Sequence, residues 1–305
     1  MSQSISGVTV IVPTLNRGQY LVDTLHDLLA QEHRPLEILI VDQSPEATVA
    51  LQELVLRHRD LISHHRVQFR GLPLARNYGW QKATYDVIVF VDDDIRCGPS
   101  LVCEHLRALT QPNIGMVAGG IDERISSKEQ TAIPGQFNFW TATPVRSFAA
   151  KGDCLVQHVA GCNFSIWRPV LQAAGGFDEA LATGAALYEE TELCLRVQKL
   201  GFGIAFSGSA RLQHLAAGMG GCRVPDLSKY LSSLAYNRAI LIRRNLRWFQ
   251  VPVACLRLLL LLVSYAAHYR DLSIFRPGIA GFASGLQAAK QPPICSKYKA
   301  AAVHA

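Results

Sequence analysis

Apolar and polar positions in the first hundred residues alternate between two periods. Residues 8–13, 37–41 and 87–91 are short apolar runs, each leading into polar or acidic residues. Runs of that length, bounded by polar signals, predict strands buried on both faces. Between them, residues 20–30 set Leu21, Leu25 and Leu28 on one helical face, and residues 48–61 and 74–83 also carry helical spacing. A short strand is expected at 67–69. This β-α-β-α order predicts an α/β fold with a mainly parallel central sheet and helices on both of its faces.

Beyond residue 113 the pattern is less regular and richer in glycine. A polar stretch over 122–136 predicts a surface loop, and residues 189–200 predict a helix. From Lys229 the chain becomes helical and then strongly apolar over 251–267. Those 17 residues are slightly short for a bilayer span and carry Pro252 and Arg257. A basic amphipathic segment lying in a membrane interface fits better, and a helical hairpin packed on the rest of the chain fits as well.

Composition narrows the class. With 305 residues, 49% hydrophobic and 18% charged, the chain can build one large domain or two small ones and is not disordered. The opening MSQSISG lacks a basic n-region, so no signal peptide is expected. Eight scattered cysteines without a CxxC pair predict reduced thiols in a cytosolic protein. The net charge of +6 is uneven: residues 238–305 hold ten Lys/Arg against one acid, Asp271, whereas residues 1–237 hold 20 against 23. The division expected is a mixed α/β domain over 1–237 and a basic, apolar helical region over 238–305, able to rest on an anionic membrane surface. Nucleic acid is not an expected partner.

The third apolar run ends in Asp92-Asp93-Asp94. Strand alternation would put Asp92 and Asp94 on one side and Asp93 on the other. Two carboxylates at a sheet's carboxyl edge suit a hard divalent cation, Mg²⁺ or Mn²⁺, and the phosphates it carries. No GxGxxG follows the first strand and no GxxxxGK[ST] occurs, which disfavours a dinucleotide fold and a P-loop kinase. Glu189-Glu190 opens a helix, where acids also complement the helix dipole, and Glu192 with Arg196 forms an i, i+4 pair.

Taken in order, Val10-Ile11-Val12-Pro13-Thr14-Leu15-Asn16-Arg17, Ile40-Val41-Asp42, Leu74-Ala75-Arg76-Asn77, Asp92-Asp93-Asp94, Gly175-Gly176-Phe177-Asp178 and Glu189-Glu190-Thr191-Glu192-Leu193 resemble the family-2 glycosyltransferases. The resemblance runs over residues 7–245. It implies a GT-A fold and an inverting, non-processive enzyme that moves one sugar from a nucleotide-sugar donor to a hydroxyl on a glycan or lipid-linked acceptor. Such an enzyme would serve cell-surface polysaccharide or glycolipid synthesis, in the cytoplasm or peripherally on the inner face of the plasma membrane.

By the same resemblance, Pro13, Thr14, Asn16 and Asp42 lie beside the nucleotide base, with Asp42 reading its imide N–H. Arg76 and Asn77 face the nucleotide, and Asp92 and Asp93 complete the donor set. Asp94, Asp92 and His214 are the implied metal ligands. Gly161 and Asn163 line the acceptor side. Glu190 or its neighbour Glu189 is the general base, standing where the family has a Glu-Asp pair. Arg244-x-x-Arg247-Trp248 echoes the QxxRW of processive synthases without its Gln. Two rival readings keep the fold: a nucleotidyltransferase making the sugar-nucleotide, and an inactive glycan- or membrane-binding module.

Overall fold

A computed structural model describes residues 6–123, 133–222 and 224–298. The first half alternates strand and helix: β1 (Val8–Thr14), α1 (Gln19–Leu29), β2 (Leu36–Asp42), α2 (Val49–Arg57), β3 (Ile62–Arg66), α3 (Leu72–Lys82) and β4 (Val87–Val91). Then come β5 (Ile95–Cys97), α4 (Leu101–Leu109), β6 (Ile114–Glu123) and a hairpin of β7 (Gln136–Asn138) and β8 (Thr143–Val145). β9 (Asp153–Val156), β10 (Asn163–Trp167), α5 (Arg168–Ala173), α6 (Glu189–Lys199) and β11 (Gly203–His214) follow. Three helices close the chain: α7 (Leu227–Asn245), α8 (Val251–Tyr269) and α9 (Phe275–Ala288).

The main sheet runs β3-β2-β1-β4-β10-β6-β11-β5, with β9 also on β11. Strands β3, β2, β1 and β4 pair in parallel, β10 is antiparallel between β4 and β6, and β6 pairs in parallel with β11. Every residue of β1 and β4 is buried. Full burial of a Val, Ile or Leu side chain contributes about 1.5–3 kcal/mol, so these central strands anchor the fold. Because β1, β2 and β4 are parallel, their carboxyl ends share one edge, and Thr14 is in register with Asp42 there.

Several boundaries differ from the sequence-based expectations. The third strand is Ile62–Arg66 rather than 67–69, and α2 ends at Arg57. Ile-Ser-His-His-Arg hides its strand character because His64 and His65 spend their polarity on Asp42 and Tyr78, each at 3.0 Å. The loop expected over 122–136 lies mostly, at 124–132, outside the described residues.

The expected boundary at 237/238 falls in the middle of α7, and residues on both sides of it are tied to the rest of the chain. Asn237 is fully buried and its Nδ2 donates to Leu187 O at 2.8 Å, while Arg238 Nη2 donates to Thr141 O at 2.6 Å. Arg244 Nη1 pairs with Asp178 at 2.6 Å and reaches Glu192 at 3.4 Å. The α9 glycines lie against α7: a Cβ on Gly281 would meet Ser232 O at 2.2 Å, and one on Gly285 would meet Tyr236 O at 2.2 Å. Beyond α9 the backbone N–H of Ile294 donates to Asp178, and the Tyr298 ring lies tilted against Phe69 and edge-on to Tyr78. Buried polar groups on both sides of residue 237 thus find their partners across the expected boundary.

Candidate active site

The shared strand edge opens into a cleft of about 980 Å³. Pro13, Thr14, Asp92, Asp93, Asp94 and His214 all line it. β4 stops at Val91, so the three aspartates form a tight turn before β5 rather than a continued strand. The turn still sorts them. Asp92 and Asp94 converge with His214, at the end of β11, so that one ligand atom of each lies within 4.8 Å of the others. His214 Nε2 is 3.3 Å from Asp94 and 3.8 Å from Asp92. Asp93 instead pairs with Arg17 Nε at 3.0 Å.

Burial and partners set the charge of this group. Asp94 is almost fully buried, and its Oδ2 accepts from the Ala217 N–H at 2.8 Å. Its Oδ1 is buried and has no partner meeting hydrogen-bond geometry among the described residues, with His214 Nε2 3.3 Å away. A buried carboxylate oxygen left open toward a second carboxylate and an imidazole fits a divalent cation completed by waters or phosphate oxygens. Asp94's carboxylate holds the His214 imidazole above its ordinary pKa against the opposing effect of burial. Burial pushes the Asp93 carboxyl up to about 7 even with Arg17 beside it.

Arg17, on the turn between β1 and α1, ties the site together. It pairs with Asp93, reaches Asp94 at 3.4 Å, and donates to Ala217 O and Met219 O. The 216–221 loop is thereby held against the aspartates. Its Gly220 has φ +74°, and a Cβ there would strike Leu15 O at 2.5 Å, so glycine is required for the loop to cross the end of β1.

A smaller pocket of about 250 Å³ adjoins the cleft and is lined by Thr14, Asn16, Asp42 and Ser44. Asp42 is 1% exposed; its Oδ1 accepts from Ser44 N at 2.8 Å and its Oδ2 meets His64 at 3.0 Å. Burial alone would raise this carboxyl, but the His64 and Ser44 hydrogen bonds bring it below its ordinary pKa. It is an anion held in one orientation.

Arg76 and Asn77 sit behind the site rather than in the cleft. Arg76 is 1% exposed and lies over the rings of Phe90, Phe164 and Phe177 at 5.5–5.9 Å. Its guanidinium bonds Glu189, donates to Gly161 O at 2.7 Å and comes within 3.7 Å of Asp92. Asn77 is a fully buried bracket: Nδ2 donates to Phe177 O and Oδ1 accepts from Phe177 N. Both residues face inward because α3 turns this side onto the segment before α6, and neither is among the residues lining the cleft.

The two acceptor-side candidates are likewise engaged by structural partners. A Cβ on Gly161 would meet Arg76 Nη2 at 2.9 Å, so the glycine makes room for an arginine. Asn163 is fully buried, donating to Gly120 O and Ala210 O and accepting from His105 Nε2 at 2.8 Å. It staples three strands of the sheet and does not border the cleft.

The two acids at the start of α6 separate by environment. Glu189 is buried and bonded to Arg76. Glu190 is half-buried, and its carboxylate makes no hydrogen bond or ion pair among the described residues. Tyr188, just before them, has φ 69°, a left-handed conformation that starts the helix sharply and sets both acids' direction.

A family model described as Glycosyl transferase family 2 matches residues 9–175, more than half of the chain. This chain belongs to glycosyl transferase family 2. The protein is a glycosyltransferase of the GT-A fold, as the resemblance implied. It is 26% identical over 217 residues, 68% of each chain, to a glucosyl-dolichyl phosphate glucuronosyltransferase of Haloferax volcanii. It is 23% identical to a pre-mycofactocin glycosyltransferase of Mycobacterium tuberculosis, covering 68% of this chain and 42% of that one. The mannosyltransferase PcManGT of Pyrobaculum calidifontis, solved with GDP-Man and Mn²⁺, superposes with a TM-score of 0.55 at 18% identity, covering 93% of this chain and 85% of that one.

The cleft of this glycosyltransferase is also lined by residues that the sequence reading did not name as site residues. Arg17, Gln43, Arg70 and Arg146 all line the cleft. Arg17 was within reach of sequence reasoning, one residue past Asn16 at the end of a strand. Arg70 and Arg146 carried no local signal, since each stands alone in a loop or at a hairpin's base.

Proposed function

We propose that this enzyme transfers a single sugar from a nucleotide-sugar to a hydroxyl acceptor with inversion at the anomeric carbon. The convergence of Asp92, Asp94 and His214 at the carboxyl edge of the sheet is the observation that carries this reading. These three residues would hold Mg²⁺ or Mn²⁺, which when bound offsets the negative charge of the donor's diphosphate. Asp42 accepts a hydrogen bond from the imide N–H of the base, while Pro13, Thr14 and Asn16 shape the wall beside it. Asp93, paired to Arg17, holds the covering loop in place. Arg76 and Asn77 act as positioning residues, and Gly161 and Asn163 support the wall behind them.

Glu190 is the general base in this reading. Its support is that Glu189's carboxylate is already taken by Arg76, whereas Glu190's is unpaired. The acceptor oxygen forms a bond to the anomeric carbon as the bond from that carbon to the nucleoside diphosphate breaks, and the hydroxyl proton passes to Glu190. One displacement inverts the centre.

Glycolipid synthesis fits the name of the Haloferax volcanii relative, and a place at the inner membrane face fits the surface of α8. That helix is long and apolar enough to cross a bilayer by length and composition. Ala254, Leu258, Leu262 and Ala266 form a buried stripe, whereas Leu256, Leu259, Leu260 and Val263 are 45–55% exposed. A helix fastened along one side and apolar on the other suits an interfacial position, with the basic residues of 238–305 toward anionic headgroups.

The test is turnover of a panel of nucleotide-sugars, with the product's anomeric configuration read by NMR. Inverted product, formed only with a divalent cation and lost on chelation, is expected. Asp94→Ala should fold, lose turnover and lose cation-dependent thermal stabilisation by nucleoside diphosphates. Retained configuration, or full turnover by Asp94→Ala, would overturn the reading.

A further inference from the structure

His158, between β9 and β10, is a buried titratable group with no part in the reaction so far described. It is 1% exposed; its Nε2 lies 3.1 Å from Val145 O and its Nδ1 2.9 Å from Val159 O. The other fully buried histidine among the described residues, His105, faces side chains instead, Asn163 Oδ1 and Ser165 Oγ. A backbone carbonyl only accepts, so each His158 contact calls for an N–H. Burial lowers this imidazole below its ordinary pKa, with the Arg146 charge acting the same way and outweighing the pull of the two carbonyls and the Glu190 carboxylate. At neutral pH the ring therefore carries one proton for two carbonyls.

The same short segment clamps the open end of the β7–β8 hairpin. His158 N and Gln157 N both donate to Gly135 O, at 3.0 and 2.7 Å, and Gln157 Oε1 accepts from Phe137 N at 2.7 Å. Those bonds hold the β7 side. Val145 O is the contact on the β8 side, and the next residue, Arg146, lines the cleft. From its other side the segment meets α6. Gln157 O accepts from Gln198 Nε2 at 2.6 Å, and the Val159 backbone hydrogen-bonds the Cys194 sulfur. Glu190 stands one turn before Cys194, so it shares the helix face on which this segment lies. Its charge is accordingly felt at His158.

We infer that His158 is a positioning residue of the transfer: with its proton on Nε2 it pins Val145 O, and so fixes the cleft wall at Arg146 relative to the α6 face that carries Glu190. This rests on the transferase reading above, with Glu190 as its base. The Nε2–H tautomer is the one that secures a contact 13 residues away, whereas Val159 O stays beside Nδ1 through chain adjacency alone. His158 is not among the residues that line the cleft, so it acts through Val145 and not on a substrate. Small displacements of groups around a reacting centre are costly in rate, which gives one remote hydrogen bond its leverage.

The two ring positions can be mimicked separately, because a Gln amide nitrogen reaches the place of Nε2 and an Asn amide nitrogen that of Nδ1. His158→Gln should turn over nucleotide-sugar at close to the native rate, and His158→Asn should lose about tenfold in kcat, the worth of one buried hydrogen bond. In both, Mn²⁺-dependent thermal stabilisation by UDP or GDP should match the native shift, since the donor-side residues are untouched. In chain labelled with 5-fluorotryptophan, the fluorine signal of Trp140, at the hairpin's turn, should move in His158→Asn and not in His158→Gln, while that of Trp167 on β10 stays. Gln157→Leu removes the acceptor of the Phe137 N–H, loosens the same end of the hairpin and should lower kcat as well; it carries the test if His158→Asn does not fold. Equal kcat in His158→Asn and His158→Gln would overturn the inference. So would a loss of kcat matched by a loss of UDP or GDP binding, or native kcat in a folded Gln157→Leu chain. A native chain that turns over no nucleotide-sugar would sink the transferase reading itself, and the Trp140 signal would still report whether His158 holds the hairpin.

Discussion

Replacing Arg76 with methionine tests how the site is held from behind. Arg76 and Glu189 are each 1% exposed and bonded to one another, 113 residues apart in the chain. Arg76→Met leaves the Glu189 carboxylate buried without its partner, and breaking a buried pair from one side costs about 3–5 kcal/mol. Loss of the guanidinium over three phenylalanine rings adds about 0.5–2 kcal/mol, partly offset by the packing of a methionine of similar length. Loss of the donor to Gly161 O acts in the same direction. Urea denaturation followed by circular dichroism should show a fall of about 3–5 kcal/mol, by the same estimate. The Arg76→Met/Glu189→Met double variant should recover much of this, because apolar groups can replace a buried pair at little cost, leaving a coupling of about 2–3 kcal/mol. Asp92 also loses the cation 3.7 Å away, so Mn²⁺-dependent nucleotide binding should weaken in both variants. A double variant as unstable as the sum of the singles would refute the account, for the pair would then not be one energetic unit.

Glu190→Gln should bind donor nearly as well as the native enzyme and transfer about 10²–10⁴ more slowly, the range for losing a general base; a mild effect there would shift the role to Glu189. His105 is fully buried, its Nε2 facing Asn163 Oδ1 and its Nδ1 facing Ser165 Oγ, and burial lowers its pKa to about 4. The unfolded chain, with an ordinary histidine, binds the proton first, so stability present above pH ~6.5 should fall as pH drops toward ~4, by about 3 kcal/mol, and His105→Gln should flatten that part of the profile. Full-length protein should sediment with anionic vesicles more than with neutral ones, and Leu256→Asn/Leu260→Asn should reduce this while the melting temperature holds. Vesicle binding unchanged by that pair would remove α8 from the membrane reading.

By itself the sequence determined where chain direction and chemistry meet. Apolar runs closed by Asp42 and by Asp92–Asp94 mark parallel strands whose carboxyl ends share an edge, because strand period and strand ends are local properties. His214 could be named as a ligand candidate from its place in a known motif order. Which polar residues face the cleft was decided only by the tertiary structure. Arg76, Asn77 and Asn163 have the composition of a binding site, yet their partners, Glu189, Phe177 and His105, lie 113, 100 and 58 residues away. A buried hydrogen-bonding group and a ligand-binding one look alike until long-range packing assigns the partner. The same holds for β3, whose histidines give no strand signal until Asp42 and Tyr78 absorb them, and for the C-terminal helices. Their charge and hydropathy were plain in the sequence, but the burial of Asn237 and the Arg244–Asp178 pair are what join them to the catalytic body, since the energy of that union resides in contacts no local pattern encodes.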